Sequence, residues 1–184
     1  MKNRFVRVFL YVAVIFLLAF IFQYFTVNFS GEGFQTPEEA LPKDAEYVWI
    51  EGPKREKEHR YFFLSNGNYF GTGVVEKNFK GWKSGEGAYA KLPNPLKDNE
   101  ITSAYSDGYI IFGLIKQKGE VVVTVNDVKA NIIELSTIPK ETRSMYKIED
   151  YSIWYVDLEK LEDKEHFNIK VQKNDGEILS ELSI

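Results

Sequence analysis

The chain contains no cysteine in 184 residues. That absence removes structural disulfides, thiol nucleophiles, lipoprotein acylation and the thiolate ligand sets of most structural zinc sites. Histidine is nearly as scarce, with His59 and His166 the whole supply, so only these two could act as imidazole bases in nucleophilic hydrolysis. Both read as surface residues, His59 in a charged loop and His166 just before a strand. Glu162 stands four residues before His166 and would share a face with it in a helix, but Phe167 already begins a strand pattern. No G-x-S-x-G occurs, and Gly71-x-Gly73 lacks the third glycine and following helix of a phosphate cradle. Asn174-Asp175-Gly176-Glu177 is a hairpin turn without the spaced oxygens of an EF-hand. The sequence therefore names no catalytic residue, cofactor or metal ligand, and the expected class is non-enzymatic. A carboxylate-dependent hydrolase is the third and weakest functional reading, since 27 acidic residues hold many pairs that spacing does not distinguish.

What the chain does have is a long apolar run. Val8 to Phe22 reads VFLYVAVIFLLAFIF, and after Gln23 it resumes as Tyr24, Phe25, Thr26 and Val27. As an α-helix rising ~1.5 Å per residue, the stretch from Val8 to Val27 reaches ~30 Å, the hydrocarbon thickness of a bilayer. Lys2, Arg4 and Arg7 precede it, whereas no basic residue follows until Lys43. Cationic flanks stay in the cytoplasm, so the expected topology is single-pass with residues 1–7 as a cytoplasmic tail and the remainder outside. The competing reading is a cleaved secretory signal. Its apolar core is typically shorter and ends at a small-x-small site, while Asn28 and Phe29 occupy the positions two before Ser30 and Gly31. The expectation is an uncleaved signal-anchor in the cell membrane, with the bilayer as its first partner.

Three basic and no acidic residues lie before Gly31. Of 23 Lys and Arg, 20 thus remain beyond it against 27 Asp and Glu, a net charge of −7. Such a balance argues against nucleic acid and against electrostatic docking onto anionic lipid, both of which need a cationic patch. An exported domain without cysteine fits a Gram-positive surface, where stability comes from packing.

Residues 28–36 read as a short tether. Thr36-Pro37-Glu38-Glu39 then signals a helix start that Pro42 ends within one or two turns. Alternating aromatics over Ala45–Glu51 and Arg60–Leu64, the turn Asn66-Gly67 and the return strand Tyr69–Val75 make a hairpin region. PKREKEH (53–59) reads as a solvated loop and NFKGWKSGEG (78–87) as a Gly-rich irregular segment. Pro93 and Pro95 mark the best internal boundary, dividing an α+β hairpin subdomain (37–98) from a second unit (99–184). In the second, strands are expected at Tyr109–Ile115, Val121–Val125, Lys129–Leu135, Ser152–Leu158, Phe167–Lys173 and Ile178–Ser183, with a further one near Met145. Turns fall at Lys118-Gly119, Asn126-Asp127 and Asp175-Gly176, and LEKLEDKE (158–165) makes a helical crossing with Leu158 and Leu161 inward. The fold class is mainly β, ending in an immunoglobulin-like antiparallel β-sandwich.

The order of an N-terminal anchor, TPEEAL, a hairpin region, FKGWK, YIIFGLI and VVVTVNDVKA resembles small uncharacterised exported, membrane-anchored proteins of Bacillus-type bacteria. The resemblance implies an extracytoplasmic β-rich fold and assigns no activity.

Three tryptophans and nine tyrosines lie outside the span. Trp49 and Trp154 sit in strand patterns and are expected in the core. Trp82, between glycine and lysines, is the candidate ligand contact, with burial against the hairpin sheet as the competing outcome. The leading functional expectation is a membrane-tethered extracytoplasmic module that binds an envelope protein or peptide. The alternative is a cell-wall glycan binder that stacks sugars on exposed aromatics.

Overall fold

The computed structural model describes residues 2–29, 33–44, 46–66 and 68–184. Its first element, α1 (Lys2–Phe29), contains no Gly or Pro to break it. The stretch Val6–Phe25 is long and apolar enough to cross a membrane, and none of it is buried inside the protein. It is apolar all round, with no stripe that would seat it on a globular core.

Beyond α1 the described residues are mostly strand. In chain order these are β1 (Tyr47–Arg55), β2 (Glu58–Ser65), β3 (Tyr69–Asn78), β4 (Gly81–Ser84), β5 (Tyr89–Lys91), β6 (Tyr105–Ser106) and β7 (Ile110–Lys116). Then follow β8 (Val121–Val125), β9 (Val128–Lys129), β10 (Asn131–Glu134), α2 (Lys140–Tyr146), β11 (Tyr151–Asp157), β12 (Asn168–Lys173) and β13 (Ile178–Ser183). They form three antiparallel sheets. The first is β1-β2-β3-β4 with β5 also on β3, the second β10-β11-β7-β6, and the third β13-β12-β8-β9.

The second sheet is the middle layer, and the side-chain period of two explains how. On β7, Ile110, Phe112 and Leu114 face the first sheet and join Ile50, Phe62, Leu64 and Phe70 in one apolar cluster. The alternate residues Ile111 and Ile115 face the third sheet, with Trp154 and Val156 of β11, and meet Val123, Val125, Ile169 and Val171. A strand buried on both faces reads as a continuous apolar run, which is why β7 spells IIFGLI. The third sheet buries its inward face, and β12 alternates accordingly, with Ile169 and Val171 buried between less buried polar neighbours.

The segment 92–98 lies inside this packing. Leu92 and Leu96 are buried in the cluster that joins the first and middle sheets. Asn94 Nδ2 donates to the Tyr146 carbonyl at 2.9 Å, and the Tyr151 hydroxyl donates to Asn94 Oδ1 at 3.1 Å. The apolar cluster is continuous across the expected division at 98/99.

Several local expectations are corrected. The loop PKREKEH is mostly strand, because β1 and β2 continue until only Glu56 and Lys57 remain in the turn. Within 78–87, Gly81–Ser84 is a strand, paired to β3 as Asn78↔Gly81 and Lys77↔Trp82. The region near Met145 is helical, as α2, rather than strand. Lys129–Leu135 divides at Ala130, where the chain passes from the third sheet to the middle one. Of the expected tether, residues 28 and 29 are helical, 30–32 lie outside the described residues, and Phe34 is already paired with Trp82. Ala45 and Gly67, named in the strand and turn expectations, also lie outside them; Asn68 carries a positive φ of 57° there. The expected turns at Asn126-Asp127, Lys118-Gly119 and Asp175-Gly176 carry positive φ at Asn126, Asp127, Gly119 and Gly176. Leu158 and Leu161 are buried, Leu158 within the single 3₁₀ turn Leu158–Lys160.

Candidate functional site

The face of the first sheet turned away from the middle layer carries a group of aromatic side chains. Register places Tyr47, Ser65, Tyr69 and Lys91 in one cross-strand row, and Trp49, Phe63, Gly71 and Tyr89 in the next. Directly opposed side chains lie on one face, so the rings form a platform. Tyr47 stacks on Trp49 at 5.4 Å between centroids, Trp49 meets Phe63 edge-on at 5.4 Å, and Tyr69 meets Tyr89 edge-on at 5.8 Å. Trp49 packs against Gly73, where a Cβ would stand 2.7 Å from the indole ring. Tyr69 is 43% and Tyr89 70% exposed, so this end of the platform is open.

The other end is covered by residues 33–44. Phe34 pairs with Trp82 through two backbone hydrogen bonds, 2.8 Å from the Phe34 N–H and 2.9 Å from the Trp82 N–H. The expected capping box is present: the Glu39 N–H donates to Thr36 Oγ1 at 3.3 Å, and Glu39 Oε2 accepts from the Gln35 and Thr36 amides. The turn it starts is a single one, closed by Ala40 N–H to the Pro37 carbonyl and Leu41 N–H to the Glu38 carbonyl. Ala40 and Leu41 then bury against Tyr61, Val75 and Trp82. Trp49 Nε1 donates to the Pro42 carbonyl at 3.1 Å, and the Tyr61 hydroxyl donates to Glu38 Oε1 at 2.8 Å. An open cleft of about 450 Å³ remains at the junction, lined by Glu38, Pro42, Tyr47, Trp49, Glu51 and Tyr61 among others.

Electrostatics follow from this cover. The Tyr61 hydroxyl holds the Glu38 carboxyl below its ordinary value. Burial, and then the Glu38 charge, push the Tyr61 phenol well above its own. His59 packs its ring 4.6 Å from Trp82 and leaves Nδ1 buried without a hydrogen-bond partner. Burial, and then the Lys54 charge, push its pKa down, so the imidazole is neutral at neutral pH.

Trp82, the candidate ligand contact, is 6% exposed and packs beneath the 33–44 segment against Ala40 and Leu41. His59 is half-buried on β2 rather than on a loop. His166 is on the surface, with Nδ1 3.4 Å from Asp163. No helix spans 162–166, so Glu162 and His166 do not share a helical face. Trp154 is fully buried, while Trp49 is half-buried in the platform. Val8 and Val27 both lie on α1, as do Lys2, Arg4 and Arg7 at its start.

Sequence reasoning also missed a buried charged joint. Arg60, 2% exposed, donates from Nε to Asp107 Oδ2 at 2.8 Å and from Nη1 to Glu58, and its guanidinium lies 4.7 Å from the Tyr109 ring centroid. Asp107 Oδ1 also accepts from the Tyr109 and Ile110 amides. Burial acts to lower the Arg60 pKa, but its bonds to Glu58 and Asp107 outweigh burial and raise it. Glu58 and Glu76 face each other across β2 and β3 in this groove, with Glu58 committed to Arg60. The joint ties β2 to the turn before β7. Among the described residues, no group of three or more His, Asp or Glu is placed to hold a metal ion.

No family model, curated protein or solved structure matches the chain. The functional reading therefore rests on the site alone.

Proposed function

We propose that the protein is a single-pass, membrane-tethered extracytoplasmic binding module without a catalytic centre, of the kind carried on Gram-positive surfaces. In this reading α1 crosses the bilayer with Lys2, Arg4 and Arg7 inside, and the β region stands outside. Residues 99–184 then make an immunoglobulin-like β-sandwich. Strand order supports this, since β6-β7-β11-β10 and β9-β8-β12-β13 correspond to the A-B-E-D and C′-C-F-G orders of that architecture. The first sheet is an added layer on the A-B-E-D side.

The observation that carries the binding reading is the open end of the aromatic platform, where Tyr69 and Tyr89 are exposed on strands fixed by a buried core. Rigid aromatic rings give contact area at low entropic cost, as binding surfaces require. The partner proposed is an envelope protein or peptide. A cell-wall glycan is the second reading, favoured by the mix of rings and carboxylates along the neighbouring cleft.

A photo-reactive side chain placed at Tyr89 in the full chain, activated on intact cells, tests both. The first reading expects an adduct with a discrete envelope protein, reduced about tenfold or more by Tyr69→Ala. Adducts with wall polymer, together with sedimentation of the purified chain with isolated wall, would establish the second. No adduct above that formed from a label at Asp175, on the β12–β13 turn, would overturn both.

A further inference from the structure

The exterior net charge argues against docking to anionic lipid, yet that average conceals one segment. Lys77-Asn78-Phe79-Lys80-Gly81-Trp82-Lys83 carries three lysines and no acidic residue. The structure folds it into the β3–β4 hairpin, with Phe79 and Lys80 as the two turn residues between Asn78 and Gly81. The turn is tightly built: the Lys80 N–H donates to Asn78 Oδ1 at 2.8 Å, and Gly81 takes a φ of 130° that favours glycine. Phe79 is 62% exposed at the tip, and Phe34, paired alongside, is 38% exposed. Lys77 is held with its ammonium 5.7 Å over the Trp82 ring.

Chain connectivity fixes where this tip stands. Gly33 lies against the Lys80 carbonyl so closely that a Cβ would be 2.2 Å from its oxygen. Only four Cα steps separate Phe29, the last residue of α1, from Gly33. At no more than ~3.6 Å per residue, Gly33 is within ~14 Å of the helix end, and the tip lies against Gly33. Phe29 itself lies four residues past the apolar stretch that ends at Phe25, or ~6 Å along the helix, which is headgroup depth for a spanning helix.

We propose that the β3–β4 hairpin is a second membrane contact, in the same bilayer that holds α1. Phe79, with Phe34 beside it, enters the interfacial zone, while Lys77 and Lys80 meet the phosphates of anionic lipids. An apolar ring flanked by lysines at the level of the headgroups is the chemistry of interfacial anchoring. The contact would fix the tilt of the β region on the membrane and turn the aromatic platform in a set direction. It rests on the reading of α1 as a membrane span.

The test uses the full chain reconstituted into phosphatidylcholine vesicles with or without phosphatidylglycerol. Because the chain has no cysteine, Phe16→Cys, Phe79→Cys and Met145→Cys each give one site for an environment-sensitive fluorophore, read by lipid-borne nitroxide quenchers. Met145 lies beside Asn68 at the other end of β3 and is 60% exposed. The proposal expects deep quenching at position 16, headgroup-level quenching at 79 that strengthens with phosphatidylglycerol, and none at 145. Lys77→Gln and Lys80→Gln should each weaken docking roughly fivefold. Quenching at 16 with position 79 no different from 145 would overturn the hairpin contact and leave the span intact. Absence of quenching at 16 would overturn the span and the contact together. Release of the label at 79 by soluble poly(glycerol phosphate) would assign the lysines to a wall polyanion and overturn the bilayer as their partner.

Discussion

At the residue scale, the environment of His59 shows how one buried imidazole ties the covering segment to acidity. The groups facing it are Trp82 and Val75 on the sheet, Lys54 from β1 and Glu38 from the 33–44 segment. Its pKa is depressed below 6.5, so the unfolded chain binds the proton first as pH falls. Stability from this group is complete above 6.5 and declines as pH drops toward the depressed native value. Glu38 is depressed below 4.5, so its contribution is complete above 4.5 and is lost below it, as pH falls through its lowered value. Urea unfolding across pH should therefore show two stages of loss. His59→Gln should remove the upper stage and Glu38→Gln the lower; an upper stage that survives His59→Gln would contradict this assignment. None of it was legible in the sequence, where His59 ended a string of charged residues and looked solvated. Its partner Trp82 is 23 residues away, and only strand register brings the two together.

At the scale of elements, legibility followed burial symmetry. Strands with one buried face, such as β12, alternate and are readable, as is the continuous run of β7, buried on both sides. Short edge strands such as β4 were unreadable, because Gly81 and the lysines around Trp82 look like loop chemistry. Yet Gly81 is required by the fold: it has φ 130°, and a Cβ there would lie 2.4 Å from the Phe34 carbonyl oxygen. Gly81→Ala should cost about 1–3 kcal/mol in backbone strain and open the Phe34–Trp82 pairing. The expected signs are a red shift of tryptophan emission and faster proteolysis within residues 33–44, with the β-rich circular dichroism spectrum retained. Unchanged emission and proteolysis would show that the segment is held elsewhere. The platform was half legible, since alternating aromatics in β1 and β2 were evident while the ring contact of Tyr69 with Tyr89 depends on β5 joining β3.

At the scale of the whole molecule, three stacked sheets follow an apolar helix, and the chain between them is short. Within the expected tether, 28–36, Phe34 is paired to Trp82, and just beyond it Ala40 and Leu41 pack on the first sheet. The described β region thus begins its pairing at Phe34, five residues after the last residue of α1. The apolar run and its basic flank were fully legible; the third layer was not, because nothing in β1 to β3 says which face meets β7. The central claim, an exterior aromatic platform on a membrane-held chain, is tested most directly by Tyr89→Cys in the otherwise cysteine-free protein. A membrane-impermeant maleimide applied to intact cells should label it as fully as after permeabilisation, on a full-length chain found in the membrane fraction. Labelling only after lysis, or of a shortened chain released to the medium, would contradict the account.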